Sequence, residues 1–223
     1  MDRITLSSQN RLFWLGRYAE RVYRATDFMM ELYDQMIDNK EIPYREYCQQ
    51  LGIPSIYQDE NDFFKHYLFD GGNPFSVRAA ADAMLGNGME LRSTITSKSL
   101  SYLQMASSAL EQAERSDSPC MELQTVIDDI TAFRGSFDDT IQNERVRNTI
   151  KTGREVERLS LMLRMRIKLE YLDQELSMLL FRLEKTNLQF DQAAFDVILG
   201  RTNKELSASI PVLLNSVENL VQV

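Results

Sequence analysis

Apolar residues return every three or four positions along most of this chain, and the breaks between those runs mark its helices. Leu12, Leu15, Ala19, Val22, Met29, Met30, Tyr33 and Ile37, with Thr26 on the same face, predict a first helix. It starts at Ser7 or Ser8 as N-cap and runs to about Asp38. Pro43 suits the first turn of a short helix ending near Gly52, because a helix start leaves the missing N–H without a partner in any case. Residues 53–72 read as a looser connection. Tyr57, Phe63, Phe64, Tyr67, Leu68 and Phe69 make it too aromatic for a solvated linker, so it packs a short helix against the rest. Asn73 and Pro74 then form a cap and first-turn pair for a helix through about Thr96. Gly86 and Gly88 either weaken the middle of that helix or admit a close neighbour.

A further helix is predicted over roughly 98–115. The turn Ser116-Asp117-Ser118-Pro119 separates it from another that reaches about Gln142. From Glu144 to about Lys185 no proline intervenes, and Val156, Leu159, Leu163, Ile167 and Leu172 continue an apolar face through one long helix or two. Phe190, Phe195, Val197, Ile198 and Leu199, then Leu206, Ile210, Leu213, Leu214, Val217 and Leu220, supply one or two closing helices. A break is expected near Gly200 to Asn203, with Pro211 as a kink in the last helix. No segment alternates as a strand does. The expected fold is all-α: a single-domain antiparallel helical bundle over residues 1–223, with a pseudo-duplicated central helix motif.

Sparse glycine (9) and proline (5) fit that reading and argue against a turn-rich β fold. The net charge of −8 disfavours a general nucleic-acid binder, which needs a basic surface to meet phosphate. No apolar run approaches the roughly 20 residues of a membrane helix, and Met1-Asp2-Arg3-Ile4-Thr5-Leu6-Ser7 lacks a signal-peptide core, so a cytoplasmic protein is expected. Cys48, Cys120 and the lone His66 stand far apart in sequence. They suggest neither zinc nor cysteine-histidine catalysis, and the thiols read as ordinary core residues. No cofactor and no metal are expected.

The most informative pattern is a repeat. Gly16-Arg17-Tyr18-Ala19-Glu20-Arg21 returns as Gly153-Arg154-Glu155-Val156-Glu157-Arg158, both reading Gly-Arg-x-x-Glu-Arg. The helical spacing puts Arg17, Glu20 and Arg21 on one face, and likewise Arg154, Glu157 and Arg158. A helix-interior glycine costs about 1 kcal/mol against alanine, so its recurrence in both copies points to a close approach of two backbones. If the helices cross at the glycines, Glu20 accepts from Arg154 or Arg158 and Glu157 from Arg17 or Arg21, as a pseudo-twofold pair. Arg24 extends the first face, whereas the equivalent position of the second copy is Leu161. One reading is an ion-pair network that fixes helix register. The other is an anion site, since four arginines against two glutamates suit a carboxylate or phosphate. The candidate ligand-binding residues are Arg17, Glu20, Arg21, Arg24, Arg154, Glu157 and Arg158, with Trp14 either a core residue or a stacking platform for an arginine.

Other features carry less. Arg78, Asn87, Glu90 and Arg92 offer polar groups that a solvated face explains equally well. Asp128, Asp129, Asp138 and Asp139 read as surface, because bundle metal sites use Glu-x-x-His and this chain has none. The 11 methionines read mainly as core filling. Neither a phosphate-binding Gly-Lys-Ser loop nor a Gly-x-Ser-x-Gly elbow is present.

The stretch Asn10-Arg11-Leu12-Phe13-Trp14-Leu15-Gly16-Arg17-Tyr18-Ala19-Glu20-Arg21 resembles the opening signature of the alpha-E family, bacterial helical domains named for an E-R motif. Gly153-Arg154-x-x-Glu157-Arg158 resembles the family's later copy. Pro74-Phe75-Ser76-Val77-Arg78, followed by Asn87 and Arg92, resembles its middle helix, with Leu85 and Gly86 where an Arg-Glu pair is usual. The resemblance implies a bacterial protein whose relatives are encoded beside, or fused to, an ATP-grasp-like protein, often near transglutaminase-like and proteasome-like peptidase genes. The function it implies is that of a non-catalytic helical partner of an ATP-grasp-type ligase in peptide or amide-bond synthesis. Such a partner would hold a carboxylate or peptide at the duplicated motif. Two alternatives stand beside it: an all-α enzyme with Glu20 or Glu157 as general base and the arginines as anion clamp, and a purely structural interaction protein.

Overall fold

The computed structural model describes residues 5–38, 40–204 and 207–222, and these form eleven α-helices with no strand among them. Met1 to Ile4 and Leu206, used in the sequence reading, lie outside the described residues. No helix of the described residues is long and apolar enough to cross a membrane. The helices are α1 (Leu6–Ile37), α2 (Tyr44–Leu51), α3 (Glu60–Phe69), α4 (Val77–Glu90), α5 (Arg92–Ile95) and α6 (Ser97–Arg115). They continue with α7 (Cys120–Thr140), α8 (Glu144–Met165), α9 (Leu172–Leu183), α10 (Gln192–Thr202) and α11 (Ile210–Asn219). The chain divides into two compact units. One holds residues 1–17 and 143–223, the other residues 18–142, so α1 begins in the first unit and ends in the second.

Helix boundaries follow the capping chemistry, and several differ from the sequence reading for that reason. Thr5, not Ser7 or Ser8, caps α1: its hydroxyl accepts from the Ser8 amide at 3.2 Å. Asn73 does not cap α4. Its side-chain oxygen turns the chain by accepting from the Phe75 amide at 3.0 Å, its amide donates to the Tyr57 hydroxyl at 3.0 Å, and Ser76 caps the helix by accepting from Ala79. The predicted helix through Thr96 also stops at Glu90, with α5 following as a separate turn. The long stretch from Glu144 is two helices, because Arg166 and Lys168 take the left-handed conformation (φ 54° and 53°) before a single 3-10 turn at Leu169–Tyr171. Pro211 sits in the first turn of α11 and kinks nothing, since that position needs no N–H. The short helix in the aromatic connection is present as α3, capped by Asp59.

In the first unit, α8 carries the core. Val156, Leu159, Met162 and Leu163 pack with Phe13 of α1, with Leu172, Leu176, Leu179, Leu180 and Leu183 of α9, and with Leu213 and Val217 of α11. Helix α9 runs antiparallel to α8, as the pairs Arg182–Asn148 and Arg158–Glu175 show. In the second unit, α6 and α7 are antiparallel and joined by the hydroxyl pair Ser99–Ser136 (3.1 Å), and Tyr44 and Tyr67 stack with Phe63 while Tyr57 meets it edge-on. Gly88 of α4 lies under Leu103 of α6, so a Cβ there would meet that side chain at 2.7 Å; Gly86 faces open space. Of the two glycines, only Gly88 admits a close neighbour.

Asp129 corrects the expectation that the α7 carboxylates are all surface groups. It is 7% exposed and one of its oxygens has no hydrogen-bond partner. Burial, helped by neighbouring Asp128, raises its pKa above the ordinary carboxyl value. The folded state thus binds the proton more tightly than the unfolded state does. The site is most favourable at low pH and loses stability as pH rises above about 3.9, the unfolded value, through the raised folded one. Asp129→Asn is expected to raise stability at pH 7 by about 1 kcal/mol and to change little near pH 3.5. Urea denaturation at the two pH values measures this, and equal effects at both would refute it.

Candidate functional site

The two glycines of the repeat build the contact on which the rest depends. Both lie in the first unit, Gly16 on α1 and Gly153 on α8. A Cβ on Gly16 would overlap the Ile150 carbonyl oxygen, with its carbon at 2.9 Å and the Arg154 amide nitrogen at 3.0 Å. On Gly153 it would overlap the Phe13 carbonyl oxygen, with the carbon at 2.9 Å and the Arg17 nitrogen at 3.2 Å. Each glycine touches the residue three before the other glycine and the residue just after it, a reciprocity that defines a local pseudo-twofold axis. With hydrogen in place of Cβ, a Cα–H faces each carbonyl, which is the geometry of a weak Cα–H···O contact. The sequence expectation of close backbone approach is met at both copies.

This crossing sets the first ion pair. Arg17 Nε donates to Glu157 Oε2 at 2.8 Å, with the two side chains only 13% and 4% exposed, and its guanidinium lies 4.8 Å over the Trp14 ring. Trp14 thus combines both roles foreseen for it, since its partly buried ring also packs against the first unit's core. Further along α8, Arg154 Nη2 donates to Glu155 Oε1 at 2.6 Å, and Arg158 donates to Glu175 of α9.

In the second unit, Glu20 of α1 is 1% exposed and accepts from Arg24 Nε at 2.9 Å, one helical turn on, and from Arg134 of α7. Both guanidiniums lie against Tyr23, at 4.1 Å for Arg134 and 5.4 Å for Arg24. Arg21 lies 5.7 Å over Tyr18. The expected cross-pairing therefore holds for Glu157 with Arg17. Within the second unit, Glu20 accepts from Arg24 and from Arg134, which α7 supplies.

Of the predicted residues, Arg17, Arg154, Glu157 and Arg158 share the first unit and Glu20, Arg21 and Arg24 belong to the second. The sequence reading missed Arg134, Glu155 and Glu175. Arg134 carries no local signature; Glu155 was legible, since it stands beside Arg154 and three residues before Arg158 on the same helix. The other candidates lie elsewhere: Arg78 is tied to Asp82 (3.0 Å) and Glu111 (2.9 Å), and Glu90 and Arg92 are exposed. Cys48 is buried and Cys120 partly so, and burial raises both thiol pKa values, away from thiolate chemistry. Methionine divides between core positions such as Met29 and Met84 and exposed ones such as Met89, Met105 and Met121.

Chemically, the arrangement surrounds buried carboxylates with oriented guanidiniums. Such a network holds helices in register. A family model, Alpha-E, described as a predicted alpha-helical domain with a conserved ER motif, matches residues 8–202. No curated protein and no solved structure matches the chain.

Proposed function

The chain belongs to the Alpha-E family, and on that premise we propose that it is a non-catalytic helical partner of an ATP-grasp-type ligase in peptide or amide-bond synthesis. The reading places it in the bacterial cytoplasm, where the ATP for such a ligase is made. One observation carries the non-catalytic half of the proposal. Both motif glutamates are buried, at 1% and 3% exposure, and both already accept from arginine. A general base must be free to receive a proton from substrate, and a carboxylate held by guanidinium is a poor one. The ligase half rests on the family resemblance drawn from the three motifs. Within this role the glycine crossing and its ion pairs give the helices a fixed register, and the motif arginines present a carboxylate or peptide.

The test is affinity capture from the source bacterium with the tagged full chain, captured proteins being identified by mass spectrometry. Wild type is expected to retain an ATP-grasp-type protein. A folded Arg17→Ala/Arg154→Ala variant is expected to retain less if the motif shapes the contact. Absence of any ATP-grasp-type protein from the wild-type capture overturns the proposal, as does a purified chain that turns over a peptide or amide substrate alone.

A further inference from the structure

Helix α9 buries Leu172, Leu176, Leu179 and Leu183 in the first unit's core and leaves its other face bare. On that outer face and at its two ends, Tyr171, Gln174, Met178, Phe181 and Lys185 follow at steps of three, four, three and four residues, all exposed. Ile167, on the turn before the helix, is exposed too and continues the row by one more step of four. This alternation keeps side chains on one line of a helix and is the spacing by which one helix lies along another. Four of the six residues are large and apolar, between 37% and 53% exposed. An unbroken apolar line of this kind marks a place of contact, whereas single exposed apolar residues do not.

The charges of the row sit at its ends, one of each sign: Lys168 and Glu170 at the start, Glu184 and Lys185 at the finish, all exposed. A second copy laid antiparallel, with Tyr171 against its Phe181, brings Gln174 to Met178 and Lys168 to Glu184. It also lays Ile167 on the aliphatic stem of Lys185, with Glu170 within a turn of that ammonium. Each contact then occurs twice, as twofold symmetry requires. A parallel copy sets Lys185 on Lys185 and Glu184 on Glu184, so charge selects the antiparallel arrangement. Lys185 already meets Glu144 at 3.1 Å, but with both side chains well exposed that pair is weak and leaves the lysine able to turn. Repulsion between copies is also small on this side of the molecule. The unit that holds α9 carries 12 acidic and 15 basic side chains, whereas residues 18–142 carry 21 and 10.

We infer that the outer face of α9 binds the same face of a second copy of this chain, antiparallel, about a twofold axis. The seam from Tyr171 to Lys185 is only about 21 Å long. An interface of that size belongs with the weak, reversible ones, so the dimer forms at micromolar concentration and exchanges with monomer. Gln174, the one uncharged polar residue in the seam, is the kind that fixes register at some cost in stability. A partner helix charged with a single sign fits less well, since each end of the row offers one cation and one acid. The inference goes beyond the proposed ligase role and does not depend on it.

The test is sedimentation velocity of the full chain over about 1 to 200 µM, the range that a weak interface populates. Wild type is expected to pass from the mass of one chain to that of two. Met178→Glu/Phe181→Glu is expected to weaken association about 10-fold or more, and Met178→Glu alone serves if the double variant unfolds. Charge tests the register. Lys168→Glu or Glu184→Lys alone sets like charges together and is expected to weaken the dimer about 3-fold, and both changes in one chain are expected to restore it. A wild type that stays monomeric throughout, a folded Met178→Glu variant that dimerises unchanged, or single charge reversals without effect would overturn the inference. So would a monomeric wild type that sediments with phosphatidylglycerol vesicles and loses them on Phe181→Glu, since the face would then belong to a lipid surface.

Discussion

Gly16→Ala is expected to destabilise the protein by about 3 kcal/mol, although the same change favours an isolated helix by about 1 kcal/mol. The sign is decided by the neighbour. A methyl group on Gly16 falls within contact distance of a main-chain carbonyl, that of Ile150, which belongs to the interior of α8 and has no rotamer with which to yield. The helices must separate, and separation also strains the Arg17–Glu157 pair and the second glycine contact. Gly153→Ala is expected to act alike, because it meets the Phe13 carbonyl in the same way. Gly86→Ala and Gly135→Ala provide the control. Nothing lies within 4 Å of a Cβ at either position, so helix propensity alone governs, and both are expected to gain about 0.5–1 kcal/mol. Urea denaturation of the four variants separates the classes. A neutral Gly16→Ala would show that the crossing can open at no cost, and the register argument would fail with it.

That contrast also locates what the sequence could reveal. The recurrence of glycine before Arg-x-x-Glu-Arg was enough to predict a backbone crossing, because no other common reason repeats glycine at the same place in two helix interiors. That Glu157 accepts from Arg17 or Arg21 followed from the crossing, and the structure pairs it with Arg17. Glu20 did not follow. Its cation, Arg134, stands 114 residues away on a helix with no motif, and only the packing of α7 on α1 brings it near. Gly86 and Gly88 illustrate the same limit at short range: identical residues two positions apart face solvent in one case and Leu103 in the other. Helix ends were misplaced where two caps competed. Asn73-Pro74 has the composition of a cap, yet Asn73 is drawn into a bond with Tyr57, leaving Ser76 to start the helix. The left-handed pair Arg166 and Lys168 carries no glycine to announce it. Asp129 looked like its exposed neighbour Asp128 because a single-residue step on a helix moves a side chain by about 100°, from solvent to interior.

The buried glutamates give the second large effect. Glu20→Ala is expected to cost about 3 kcal/mol, the usual range for breaking a buried pair by removing one partner being 3–5. The lower end applies because the cations left behind, Arg24 and Arg134, are 31% and 21% exposed and can turn toward water. Arg134→Ala leaves Glu20, 1% exposed, with Arg24 alone, the more exposed of its two cations, and is expected to cost about 2 kcal/mol. Arg24→Ala leaves Arg134 in place and is expected to cost about 1 kcal/mol. A double-mutant cycle on Glu20 and Arg134 should then return a coupling of about 1–3 kcal/mol, since the second deletion removes a penalty created by the first. Reversal of the other pair extends the test. Arg17→Glu and Glu157→Arg singly place like charges about 3 Å apart in a nearly dry site, and the double reversal is expected to recover at least half of the larger single loss. Recovery with capture of the ATP-grasp-type protein retained would assign the pair to register alone. Recovery with capture lost would mean that the sign of the charge at position 17, and not merely its pairing, faces the ligand.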